Sequence, residues 1–211
     1  MKRSGFQTMS PYVYPFYTML HPKDGFQEMK MNHKDSVPVT ILLVAAYIVV
    51  DILYRIFVDF DLNGYNAEKV SAPRVAVTLV AVFFIVTAAN WCFCTLLDGK
   101  GKFREICYVA ACAILPMILM NLIVIILSRF LTIDESVIIT YPAIVVKCWS
   151  LLLFAVGLSE IHDYSGKKTV FSLILTVVGI VAILFLGMIT VMLFRQLYYF
   201  IVSVIFEIKY S

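Results

Sequence analysis

An all-helical membrane protein, five transmembrane helices in one bundle, is the fold class this sequence predicts. Three observations carry that expectation. Of 211 residues, 62% are hydrophobic and only 15% charged, at a mean hydropathy of +0.92. Five apolar runs are each long enough to cross a bilayer, and Lys and Arg fall unevenly between alternate connections. Ordinary globular domains are about 45–50% apolar and roughly 25% charged, so a soluble domain is excluded. With 9 Gly, 7 Pro and 5 Cys, so are a collagen-like chain and a secreted disulfide scaffold. The formal charge of +3 is too small and too scattered for a nucleic-acid partner.

The first 36 residues read as an N-terminal segment rich in aromatics, Tyr12, Tyr14, Phe16 and Tyr17 among them, interspersed with basic residues. That mixture suits a segment lying against the inner leaflet. Asp24, with Gln27 three residues on, forms a capping box for a short helix there, and Ser36 is placed to cap the first crossing.

Residues 37–208 follow as one membrane domain. A crossing needs about 20 mostly apolar residues, and the runs at 38–57, 75–97, 106–130, 137–158 and 169–194 meet that need. Arg195 and Gln196 then interrupt the pattern. The remaining run, 197–208, is too short to cross, and its leading Tyr198, Tyr199 and Phe200 suit an interfacial helix or a helical extension. Pro116 is expected to kink the third crossing.

Ten Lys and Arg lie before the first run, between the second and third, and between the fourth and fifth, against five on the other side. Positively charged loops stay in the cytoplasm. The N-terminus is therefore expected inside a plasma membrane and the C-terminus outside.

Ionisable and amide side chains within crossings are costly and are the first functional candidates. At about 1.5 Å per residue, Asp51, Asn121 and Lys147 fall in one layer, about 20 Å from the cytoplasmic ends. Asp51 and Lys147 are expected to pair there, while Arg55, one turn beyond Asp51, either joins them or reaches outward. A structural ion pair stands ahead of a conduction path, which normally offers more polar groups. Ser172, Thr176, Gly179, Gly187 and Thr190 share one stripe of the fifth helix, either an internal packing seam or a docking face for another helix.

Motifs for catalysis and cofactors fail one by one. The turn Asp98-Gly99-Lys100-Gly101 continues to Arg104, where a dinucleotide fingerprint needs its third glycine, and Gly166-Lys167-Lys168 lacks the rest of a phosphate loop. Ser165 and Lys168 lack the companion motifs of a Ser-x-x-Lys enzyme. Glu160, His162 and Asp163 supply one histidine and no second cluster for a metal. Cys92 and Cys94 point to nearly opposite sides of a helix. No catalytic residue, metal or cofactor is expected.

The stretch 90–106, beginning Asn90-Trp91 and running through Asp98, Gly99 and Gly101, continues to Pro116 and resembles the central signature of the bacterial branch of the Yip (Ypt-interacting-protein) family. His21 to Phe26 is similar to that branch's N-terminal element. The segment from Gly157 to Thr169, with His162, Tyr164 and Ser165, is similar to its last loop. The resemblance implies five crossings and an adaptor rather than a catalyst. Eukaryotic relatives bind small GTPases, but the Asp-Leu-Tyr-Gly-Pro motif typical of them is absent here, so GTPase binding is not implied. Bacterial relatives commonly lie beside sugar ABC-transporter genes, which implies an accessory role beside another membrane protein, a transporter subunit or a second copy. The rival expectation is a small-solute or ion permease using the Asp51, Asn121 and Lys147 layer.

Overall fold

The computed structural model describes residues 10–32, 35–59, 62, 64–131 and 135–210. Among them are seven α-helices: α1 (Tyr14–Leu20), α2 (Pro22–Asn32), α3 (Val37–Phe57), α4 (Ala72–Leu96), α5 (Phe103–Leu127), α6 (Val137–His162) and α7 (Gly166–Tyr210). The last five are long and apolar enough to cross a membrane, and the chain is a multi-pass membrane protein.

Local chemistry sets the helix starts. Pro38 and Pro73 occupy the first turns of α3 and α4, where proline's missing N–H is no loss and its fixed φ suits the helix. Ser36 stands at the N-cap position of α3, yet its side chain makes no capping bond. Instead its carbonyl accepts from the Thr40 hydroxyl at 3.2 Å. At the head of α5, the Glu105 carboxylate accepts the Lys102 amide at 2.9 Å. The Asp24 capping expectation needs correction. Pro22 opens α2 two residues earlier, which leaves Asp24 inside the first turn.

α5 is the centre. Its buried residues, Ile106, Tyr108, Val109, Ala111, Cys112, Leu115 and Ile118 among them, cover most of its circumference, as expected of a helix enclosed by others. α3 and α6 pack along it, α4 packs against α3 and α5, and α7 packs chiefly on α4. α5 runs unbroken through Pro116.

The N-terminal segment packs on the bundle in a way the sequence does not announce. α1 and α2 form a hairpin docked on α5 and α6, with Tyr14, Phe26 and Met29 fully buried in the main core and Tyr12, Phe16 and Leu20 exposed. Gly25 lies against Thr18 where the two helices cross, and the Tyr14 hydroxyl donates to the Gly25 carbonyl at 2.5 Å. Gly157 on α6 leaves the space that Val109 and the Phe26 ring fill. The apolar contacts outweigh the polar character of α2 as a whole.

The fifth crossing and the C-terminal run are one continuous helix. Arg and Gln are good helix formers, so the polar interruption at Arg195 and Gln196 ends the apolar pattern without ending α7. Its 45 residues extend about 67 Å at 1.5 Å each, over twice the roughly 30 Å hydrocarbon thickness.

Candidate functional site

Residues 90–105 and the α6–α7 connection meet at one end of the bundle, the signature end, while Pro116 lies midway along α5. Asn90 is fully buried on α4, and its amide donates to the Thr176 hydroxyl of α7 at 2.9 Å. One turn on, the Cys94 thiol lies 3.5 Å from the Asn90 carbonyl oxygen and 3.0 Å from the Ser172 hydroxyl. Gly179 closes the seam, because any Cβ there would strike the Phe93 ring. Buried polar groups in a membrane protein need such partners, and small residues let the helices approach.

The seam leads into the turn after α4. The Cys94 carbonyl accepts from the Gly99 amide at 2.8 Å and from the Tyr164 hydroxyl at 3.0 Å. Asp98 takes the left-handed conformation, φ 57°, that lets the chain reverse. The Gly101 amide then donates to His162 Nδ1 at 3.2 Å. His162 is 2% exposed and stacks on Tyr164 with ring centroids 5.1 Å apart. Because Nδ1 accepts, a neutral imidazole here carries its proton on Nε2, which is buried without a hydrogen-bond partner among the described residues. Burial, then the nearby Cys94, pushes the Tyr164 hydroxyl up to about 12. Trp91 meets Phe103 edge-on at 5.9 Å and is otherwise exposed.

Charged residues tie the N-terminal hairpin to this end. Asp163 receives Lys30 at 2.6 Å and Lys100 at 3.2 Å, and Lys30 also donates to the Glu160 carbonyl at 3.1 Å. Hydrogen bonds from Lys30 and then Lys100 hold the Asp163 carboxyl below its ordinary range. Arg104 binds Asp35 through a 2.8 Å ion pair and through the Asp35 backbone carbonyl. Asp163 thus already serves two lysines, and the cluster with Glu160 and His162 is built as a tether.

The expected intramembrane layer is not joined as foreseen. Asp51, buried on α3, pairs with Arg55 of its own helix at 2.6 Å rather than with Lys147. The i,i+4 partner stands one turn away, whereas Lys147 belongs to α6. The Arg55 guanidinium also lies 4.1 Å from the centre of the Tyr65 ring. Asn121 is half-buried on α5, and Lys147 is exposed at the rim of an apolar cleft.

The small-residue stripe of α7 divides in two. Ser172, Thr176 and Gly179 are buried on α4, while Gly187 and Thr190 are exposed, with nothing within 4 Å of a Cβ at Gly187. Sequence reasoning missed Cys94, Lys30 and Asp35 as members of the site. The four-residue step from Asn90 to Cys94, which puts both on one helix face, was the available signal for the first.

A family model described as the Yip1 domain matches residues 16–206. No curated protein and no solved structure matches the chain.

Proposed function

The chain belongs to the Yip1 domain family, and from that premise we propose that it is a non-enzymatic scaffold or accessory factor whose signature end binds another membrane protein. One observation carries this reading. Four separated parts of the sequence, around Lys30, Gly99, His162 and Ser172, lock one another at a single end of the bundle. The buried groups are spent on mutual fixation, and a basic rim faces outward, made of Lys102 together with Lys100 and Arg104, which stay largely exposed within their ion pairs to Asp163 and Asp35. A partner reads such a surface by charge and shape.

The positive-inside pattern supports a cytoplasmic signature end, with the N-terminus on that side of the plasma membrane and the C-terminus on the other. The likeness to the bacterial branch supports a sugar ABC-transporter subunit as the partner. The permease reading has weaker support, since Arg55 neutralises Asp51 and the cleft beside Lys147 is apolar.

The test is crosslinking in native membranes and purification in mild detergent, with wild type beside a Lys102→Glu variant, which leaves the Asp163 tether in place. The expected result is a transporter subunit recovered with wild type and lost from the variant. Recovery of the wild-type chain alone overturns the reading, and solute uptake by the purified chain in liposomes replaces it with the permease. Tags at Met1 and Ser211 should be labelled from opposite sides of sealed cells. Labelling of both by an impermeant reagent contradicts the orientation.

A further inference from the structure

A cleft of about 410 Å³ opens where α3, α4 and α6 surround one face of α5. Ala110, Ala113 and Met117 form its floor, at the i, i+3, i+7 spacing of a single helix face. The two alanines are why the floor is low, while Tyr47, Phe83 and Phe154 keep the walls apart. The cleft is open on one side, where Val82, Lys147 and Leu151 are exposed. The volume falls in the range of ligand sites, roughly 300–1,000 Å³.

The polar groups at the cleft are few. The Ser150 hydroxyl is taken by the Ala113 carbonyl, which leaves Lys147. Its ammonium makes no ion pair among the described residues, because Asp51, the carboxylate expected to meet it, is held by Arg55. α6 has 26 residues and so spans about 39 Å, against a hydrocarbon core of about 30 Å. Lys147 is ten residues from Val137, so its backbone lies roughly 10 Å below the hydrocarbon edge on that side. Helical side chains lean toward the N-terminus of their helix, and a lysine stem rises to the headgroup level when it is able to.

We propose that this cleft binds an anionic phospholipid, with an acyl chain along Ala110, Ala113 and Met117 and the phosphate on the Lys147 ammonium. Charge complementarity selects that occupant. A cation without a counter-ion is costly where its backbone lies below the hydrocarbon edge, and a phosphate supplies the missing charge through a charge-assisted hydrogen bond. A choline headgroup brings a second cation beside the first and gains less. The proposal stands independently of the adaptor reading, since it uses none of the signature-end residues.

The test is native mass spectrometry of the full chain, released from detergent containing equimolar phosphatidylglycerol and phosphatidylcholine. Wild type is expected to retain phosphatidylglycerol about tenfold over phosphatidylcholine, because both offer a phosphate to Lys147 and only the choline lipid brings a second cation beside it. Lys147→Gln is expected to bring that ratio near one, Lys147→Arg to keep it, and Ala113→Phe to reduce retention of both lipids by filling the floor. Equal retention of the two lipids by wild type overturns the proposal, as does undiminished preference in Lys147→Gln. A lipid-free dimer that Ala113→Phe converts to monomer shows that a second copy fills the cleft and also overturns it. Thermal melting of wild type with each lipid gives an answer that needs no variant: a rise with phosphatidylglycerol alone supports the site, and equal shifts contradict it.

Discussion

The His162 ring lies under the turn between α4 and α5, and its Nδ1 accepts the Gly101 amide at 3.2 Å. A side chain from the end of one crossing thereby fills the space that two glycines leave in the loop between two others. The same ring stacks on Tyr164, whose hydroxyl holds the last carbonyls of α4. The turn is a joint between helices that are far apart in the sequence.

The joint predicts the cost of filling it. A Cβ at Gly99 would strike His162 and stand 2.6 Å from the Tyr164 hydroxyl and 2.7 Å from the Cys94 carbonyl. Gly99→Ala is expected to lose about 1–3 kcal/mol, the usual cost of overpacking. Gly187→Ala, with open space around it, is expected to gain up to about 1 kcal/mol of helix propensity. Unfolding midpoints in detergent compare the two, and equal stability at Gly99 contradicts the packing.

The Asp51–Arg55 pair predicts a coupling. In a double-mutant cycle, Asp51→Ala with Arg55→Ala is expected to show an interaction of about 1 kcal/mol or more, as contacting charged residues do. Asp51→Ala with Lys147→Ala should be additive. Coupling in the second cycle and not the first would restore the pairing expected from sequence alone.

The α4–α7 seam predicts a crosslink. The Cys94 thiol and the Ser172 hydroxyl are 3.0 Å apart, so Ser172→Cys is expected to form a disulfide with Cys94 under mild oxidation, detected by peptide mass spectrometry. Thr190→Cys should form none within the chain, because that position is exposed.

Acid should loosen the N-terminal tether. Hydrogen bonds from Lys30 and then Lys100 lower the Asp163 pKa on folding. A carboxylate lowered in this way stabilises the folded state above its unfolded value of about 3.9 and loses that contribution as pH falls through its own lower value. Proteolysis within residues 10–32 is therefore expected to accelerate below pH ~4, and Asp163→Asn should show the faster cleavage already at neutral pH. Asp163 is half-exposed, so added salt should shrink the difference.

The five crossings were legible in the sequence because length and apolarity are local properties. The centrality of α5 was not, since all five runs are similarly apolar and only tertiary packing decides which one is enclosed. The hairpin was missed for a related reason. α2 carries Lys23, Asp24, Gln27, Glu28 and Lys30 and reads as a surface helix, and the burial of Phe26 depends on a gap at Gly157 more than a hundred residues away. Asp51 had two cations in prospect, and proximity along its own helix decided between them. The Asp98-Gly99 pair is legible as a turn, but no spacing rule shows that His162 fills the space beneath it.

Residues 184–201 of α7 are all exposed, beyond the last positions that pack on α4. Substitutions there disturb no interior contact. The residues of this stretch up to 194 are therefore constrained by the apolar character a crossing requires and not by fitted contacts with the rest of the fold, so a change of one apolar side chain for another there should leave the bundle's stability nearly untouched.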